Sequence, residues 1–170
     1  MTKYSEVREQ MQDGDLLLWR GNSIIAKIIQ AMGEYNNHAS YIITSEKYDT
    51  RRILLYEALA GGVVPTFLSA RLERYNGRCW WYSLKAKYEK YRGAIYQAAN
   101  NYGGTGYDYK SLFENIFGYV SLDAQKLFCS EYVYLSGIDA GLPGISTLKA
   151  PRPDDLLMLD WWMDGVEIIL

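Results

Sequence analysis

The sequence contains only two cysteines, Cys79 and Cys129, and a single histidine, His38. Two thiols in a chain of 170 residues do not make a disulfide scaffold. A structural zinc site needs about four ligands, mostly His or Cys, so a site here would have to recruit carboxylates. We therefore expect neither a disulfide framework nor a metal ion or other cofactor.

The sequence also lacks a strong excess of one charge and any long apolar run. Lys and Arg number 18 against 20 Asp and Glu, giving a net charge of −2. This balance provides no basic surface for nucleic acid. No stretch approaches the roughly 18 apolar residues of a membrane span, and no signal-peptide run follows residues 1–6. We expect a cytoplasmic protein with no nucleic-acid partner and no integral membrane segment.

Apolar residues make up 49% of the chain, and no Pro- or Ser-rich linker or internal repeat divides it. A chain of this size buries one core, so residues 1–170 are predicted to form a single domain. Short β-branched and aromatic runs come first, and apolar residues at helical spacing follow. This order predicts an α+β fold, with an antiparallel sheet packed against helices. The predicted strands are 16–19, 38–44, 52–59, 63–68 and 78–84, and the predicted helices are 24–32, 88–102, 112–117 and 129–139.

The two cysteines occupy different sequence contexts. Cys79 lies inside an apolar run that reads as a strand, where a thiol is a small core residue. Cys129 falls at the predicted start of a helix, where free N–H groups and the helix dipole favour a thiolate and can hold an oxyanion. Glu131, in the first turn of that helix, opposes the thiolate. Position alone leaves two interpretations of Cys129, a nucleophile or a buried core residue.

His38 is the one side chain of this sequence whose ordinary pKa lies near neutrality. A cysteine nucleophile needs such a base close to its sulfur, so any Cys–His pair must use His38. No histidine follows Cys129, which excludes the papain order of Cys before His and leaves only a permuted order. The alternative is a surface or hydrogen-bonded structural histidine.

Glu57 is predicted to be the third member of this group. If the two strands beside the polar loop pair around a turn centred at 47–48, His38 lies opposite Glu57. Opposed residues have Cβ atoms about 5 Å apart, so the carboxylate can orient the imidazole. Glu57 also shares its strand face with Ile53 and Leu55, and a carboxylate on an apolar face needs a partner. A slip of one residue would turn Glu57 to the other face.

Six short motifs occur in an order that is known from one superfamily. They are Gly14-Asp15-Leu16-Leu17, His38-Ala39-Ser40, Tyr56-Glu57-Ala58, Tyr107-Asp108-Tyr109, Phe128-Cys129-Ser130-Glu131 and Pro153-Asp154-Asp155-Leu156. The chain thereby resembles the permuted papain-fold proteins of the NlpC-like superfamily, specifically the YiiX/YebB-like group, and more distantly lecithin–retinol acyltransferase. The resemblance implies a permuted papain-like fold with Cys129 as nucleophile, His38 as base and Glu57 as the residue that orients it.

The expected reaction is acyl transfer through a thioester on Cys129, assisted by His38 and completed by water or another nucleophile. The resemblance implies an amide substrate in a peptide, in a peptidoglycan fragment or attached to a lipid. Tyr107, Tyr109 and Ser130, which belong to the motifs, are expected to contact the substrate. Two alternatives stay open: a lipid acyltransferase or phospholipase of the same fold, and a non-catalytic binding module whose Cys129 has ordinary thiol reactivity.

Overall fold

The computed structural model describes residues 1–22, 35–47, 50–59, 62–102, 124–145 and 151–170. The strands are β1 (Thr2–Lys3), β2 (Leu16–Gly21), β3 (His38–Lys47), β4 (Thr50–Leu59), β5 (Gly62–Phe67), β6 (Gly77–Tyr82) and β7 (Val166–Ile169). The helices are α1 (Tyr4–Val7), α2 (Leu68–Arg74), α3 (Arg92–Tyr102) and α4 (Ala124–Asp139), with 3-10 turns at Arg8–Gln10, Ala86–Tyr91 and Asp154–Met158. No helix within these ranges is long and apolar enough to cross a membrane.

The fold is α+β, and its sheet is mixed rather than wholly antiparallel as predicted. Seven strands follow the order β1-β7-β6-β2-β3-β4-β5. The β1–β7 pair is parallel and the other neighbours are antiparallel. Neither partner of the parallel pair was predicted, because strands of two and four residues are too short to show a clear period.

The five predicted strands correspond to β2, β3, β4, β5 and β6. Three of their ends coincide with the predicted ones, and the others differ by one to three residues. The predicted helix at 88–102 is divided into a 3-10 turn, Ala86–Tyr91, and the helix α3. The helices predicted at 24–32 and 112–117 lie outside the described residues.

Apolar side chains are buried on both faces of the sheet. Along β2, Leu16 and Leu18 belong to one core cluster, and Leu17 and Trp19 belong to the other. All four are 0% exposed, which explains why this strand is continuously apolar rather than alternating. The larger cluster includes side chains of α3 and α4, and α4 packs across β3 and β4. This packing brings Cys129 to the sheet.

Asp15 anchors the start of β2 inside the protein. Its carboxylate is 0% exposed and accepts hydrogen bonds from the Trp81 indole at 2.8 Å and the Leu84 N–H at 2.9 Å. It also forms an ion pair with Arg92 at 2.8 Å. Burial raises the pKa of Asp15, although Arg92 and the backbone donors act to lower it. Asp15 therefore ties β2 to β6 and α3, a structural role.

Candidate active site

The β3–β4 hairpin brings His38 and Glu57 together, but not in the predicted register. The ladder runs from Lys47↔Thr50 to Tyr41↔Tyr56, so every partner lies two residues from its predicted position. Direct opposition of His38 and Glu57 is therefore wrong. A shift of two residues keeps each side chain on its face, and diagonal neighbours remain within reach. His38 Nε2 and Glu57 Oε2 are 2.8 Å apart.

Glu57 is a buried carboxylate held between two cationic partners. It is 2% exposed and lies on the same buried face of β4 as Ile53 and Leu55, as predicted. Arg71 of α2 places Nε 3.3 Å from Glu57 Oε1. Burial raises the pKa of Glu57, but hydrogen bonds and charges from His38 and Arg71 outweigh it and lower the pKa. Glu57 therefore remains an acceptor for the imidazole.

Arg71 was not found from the sequence, although the requirement it meets was visible. A carboxylate on an apolar face needs a partner, and the sequence prediction assigned His38 alone as the partner of Glu57. The Arg71 guanidinium also lies over the rings of Trp19 at 5.5 Å and Tyr75 at 4.9 Å from their centroids. These contacts hold the cation beside Glu57. The Tyr75 contact is local, four residues along the chain, whereas the Trp19 contact arises from tertiary packing that local spacing does not indicate.

Cys129 meets His38 from α4 and is fully buried. Burial raises the pKa of its thiol, but the charge and hydrogen bond of His38, with the N–H groups of Ala39 and Ser130, outweigh it and lower the pKa. Burial likewise lowers the pKa of His38, yet Cys129 and Glu57 outweigh it and raise that pKa to about 9. The site thus favours a thiolate beside an imidazolium. Because Nε2 faces Glu57, Nδ1 is the ring nitrogen left for the sulfur.

Cys129 does not lie at the N-terminus of its helix, which corrects the prediction. The helix α4 begins at Ala124, five residues earlier, because Ala, Gln, Lys and Leu in the preceding segment all favour helix. Only the first four N–H groups of a helix lack an internal partner, and the dipole effect falls off within the first turn. The helix terminus therefore does not stabilise this thiolate; His38 and two main-chain N–H groups do.

Glu131 was predicted to oppose the thiolate through its charge. The side chain is 4% exposed, and burial raises its pKa to about 7. It is therefore partly protonated near neutral pH. Its opposition to a Cys129 thiolate is weaker than that of an ordinary carboxylate.

The amide of Ala39 reaches the sulfur because the hairpin ladder stops short of it. The Ile42 N–H donates to the Asp15 carbonyl at 2.8 Å, on the β2 side of β3. Successive residues of a strand direct their N–H groups to opposite neighbours, so the Ala39 N–H faces β4. The β3–β4 ladder ends at Tyr41↔Tyr56, and beyond that point the Cys129 sulfur accepts from Ala39. Because β3 and β4 are no longer paired at this point, the Ala39 N–H is available to donate to the Cys129 sulfur.

Ser130 was predicted to contact substrate, and its side chain is instead part of the interior. It is 0% exposed, and its Oγ donates to the Pro151 carbonyl at 2.5 Å. What Ser130 offers the site is its main-chain N–H. Tyr107 and Tyr109, the other predicted substrate contacts, lie outside the described residues.

The prediction for Cys79 is confirmed. This cysteine lies on β6 with 2% exposure, in the core cluster on the other face of the sheet. Burial raises its pKa well above the ordinary value, although Arg71 acts to lower it. Cys79 is therefore a core thiol that we expect to react slowly, and it serves as an internal reference for Cys129.

The turn before His38 is held by Asp154, from the last of the six motifs. Asp154 Oδ2 accepts from the N–H of Tyr35 at 2.6 Å and of Asn36 at 3.1 Å, and its Oδ1 accepts from Asn36 Nδ2 at 2.6 Å. On the other side, Asn37 Oδ1 accepts from the Gly21 N–H at 2.8 Å. These bonds position the start of β3 and with it the imidazole.

Glu57→Gln is expected to slow acylation of Cys129 by an activated ester about 10- to 100-fold. The amide oxygen still accepts the imidazole N–H, but the charge-assisted bond, worth about 1.5–3 kcal/mol, is lost. Glu57→Ala should slow it further. The rate is measured with p-nitrophenyl acetate. Glu46→Gln, an exposed carboxylate change in the same hairpin, is the matched control. Unchanged rates in both Glu57 variants would contradict an orienting role.

Among the described residues, no group of three or more His, Cys, Asp or Glu side chains is arranged to hold a metal ion. A scan against protein-family models and a search of curated proteins each return no match for this chain. Function is therefore inferred from the geometry and charge of the site itself.

Proposed function

We propose that this protein is a cysteine hydrolase that cleaves an amide bond through a thioester on Cys129. The substrate class is a peptide, a peptidoglycan fragment or a lipid-linked amide. The observation that carries the proposal is the position of His38, which contacts both the Cys129 sulfur and the Glu57 carboxylate. A thiol, an imidazole and a carboxylate in one hydrogen-bonded row are the parts that nucleophilic catalysis requires.

The permuted papain-like fold of NlpC type is part of the same proposal. His38 and Glu57 come from adjacent strands early in the chain, and Cys129 comes from a later helix that packs across those strands. This order reverses the papain arrangement of Cys before His. The α+β architecture is compatible with it.

The proposed reaction begins with attack of the Cys129 thiolate on the amide carbonyl carbon, forming a C–S bond. The N–H group of Ala39, which donates to the sulfur beyond the end of the β3–β4 ladder, is the donor we assign to the oxyanion. The His38 imidazolium gives its proton to the leaving nitrogen as the C–N bond breaks. Neutral His38 then takes a proton from water as the water oxygen attacks the thioester carbonyl. The C–S bond breaks, which releases the acid and restores the Cys129 thiolate and the His38 imidazolium. Glu57 keeps the imidazole oriented throughout.

Trapping the thioester tests the proposal. After brief incubation with p-nitrophenyl acetate, intact-mass measurement should show one acetyl group on the wild-type protein, mapped to Cys129 and removed by hydroxylamine. Cys129→Ala should gain none, and Cys79→Ala should be acetylated as wild type. Acetylation that fails to occur, or that maps to Cys79, would favour the non-catalytic binding module. Transfer of the acetyl group to an added amine in preference to water would favour an acyltransferase.

A further inference from the structure

A cavity of about 390 Å³ opens beside His38, where β2 ends and β3 begins. It lies on the side of the sheet that carries Glu57 and Arg71, whereas α4 covers the other side. Its volume is typical of small-molecule sites and exceeds what one inorganic ion requires. Its lining side chains include Asn22, Asn37, His38, Arg71, Tyr75 and Asn76.

The lining of this cavity is suited to an anion. None of the described residues that line it is a carboxylate, while a guanidinium, an imidazole, a phenol and three primary amides face it. The carbonyl end of the Asn37 amide is used by the Gly21 N–H at 2.8 Å, so this amide offers its N–H₂ group. The described lining therefore offers several hydrogen-bond donors and two basic groups, with the Glu57 carboxylate behind the wall rather than in it.

Arg71 is the permanent charge at the cavity. Its Nε is the nitrogen that approaches Glu57, and the guanidinium has four further N–H donors on its terminal nitrogens. Glu57 shares its own charge with His38, so it does not neutralise Arg71 alone. The rings of Trp19 and Tyr75, whose centroids lie 5.5 and 4.9 Å from the guanidinium carbon, restrict the positions that the group can take. A planar guanidinium binds carboxylate or phosphate in a bidentate manner.

We propose that this cavity is a substrate subsite that binds a carboxylate or phosphate group of the scissile molecule. The inference rests on the proposed function and narrows its substrate to an amide that carries an anionic group. His38 contacts both the cavity and the Cys129 sulfur, so a group bound there lies one imidazole ring from the nucleophile. A peptide with a free carboxylate and a phosphate-bearing lipid headgroup share this chemistry.

The single imidazole of the chain reports on binding. In the NMR experiment, the His38 ring signal is followed at pH 7 and constant ionic strength during titration with N-acetylglycine, glycerol phosphate or the neutral N-acetylglycine amide. A saturable shift is expected with the two anions and none with the neutral amide. Tighter binding of N-acetylglycine would indicate a peptide carboxylate, and tighter binding of glycerol phosphate a headgroup. An equal response to the neutral amide would overturn the proposal.

Arg71→Gln should weaken anion binding at least about 10-fold, because the bidentate cation is lost. Arg74→Gln, which removes an exposed cation from the same helix, should leave the Kd unchanged. If Arg71→Gln fails to fold, Tyr75→Phe is the replacement variant, because it keeps the aromatic ring against Trp19. Tyr75→Phe should also weaken anion binding. Wild-type affinity in Arg71→Gln, or in Tyr75→Phe where the former is unfolded, refutes the subsite. Thioester formation without anion binding refutes the subsite alone, whereas anion binding without thioester formation refutes the hydrolase.

Discussion

Replacing His38 with Ala is expected to slow alkylation of Cys129 by iodoacetamide at least about 100-fold at pH 6. The thiolate is the reacting species. In the native site the thiol pKa is lowered against burial mainly by the charge and hydrogen bond of His38. Without the imidazole, burial holds that pKa at or above the ordinary value of about 8.5, and less than about 1% is thiolate at pH 6. Peptide mapping by mass spectrometry measures the rate from pH 5 to 9.

Cys79 is the internal control for this experiment. Cys79 is buried in the opposite core and its pKa is raised well above the ordinary value, so it should stay slow in wild type and variant alike. His38→Gln tests whether a neutral polar side chain suffices, and it should be as slow as His38→Ala. Equal Cys129 rates in wild type and His38→Ala, or a faster Cys79, would remove the basis for a nucleophilic Cys129.

The titration of His38 itself should change by a similarly large amount. In wild type we expect an apparent pKa of about 9, because Cys129 and Glu57 outweigh the lowering effect of burial. Cys129→Ser removes the thiolate, so the pKa should fall towards the ordinary value of about 6.5, with Glu57 retaining part of the increase. NMR follows the transition without overlap, since the chain has one imidazole.

Cys79→Ala is the matched variant for the titration, because it alters a buried thiol that His38 does not contact. It should leave the His38 curve unchanged. Identical curves in wild type and Cys129→Ser would show that the two residues do not interact. The binding module would then be the better interpretation, and the cavity beside His38 would have to be explained without a nucleophile.

Cys129, His38 and Glu57 were predictable from the sequence, whereas Arg71 and the exact spatial relations of these residues were not. The chain has a single histidine, and only one of its two cysteines lies outside the predicted strands, so few residues could form a Cys–His pair. The hairpin register failed because moving a turn centre by one residue moves each partner by two, and a polar loop does not indicate its own centre. An error of two residues leaves each side chain on its predicted face of the sheet, so Glu57 still reaches His38. An error of one residue would have separated them.

Two features of the site differ from the sequence prediction, namely the presence of Arg71 and the start of α4. Arg71 lies beside Glu57 and contacts the rings of Trp19, which is distant in sequence, and Tyr75, which is four residues away. The sequence predicts that this helix starts near Cys129, whereas the helix propensity of the preceding residues extends it to Ala124.

Because Cys129 and His38 are paired in the native protein, folding in effect moves one proton from the Cys129 thiol to the His38 imidazole. A raised His38 pKa stabilises the fold below pH 6.5, and this contribution is lost as the pH rises through about 9. A lowered Cys129 pKa stabilises the fold above pH 9, and this contribution is lost as the pH falls through the native value. Over the pH range in which native Cys129 is thiolate and native His38 still charged, while both groups are neutral in the unfolded chain, the two dependences cancel. Over that interval the pair exchanges no net proton with solvent when the chain folds, so the nucleophile is charged without making stability sensitive to pH.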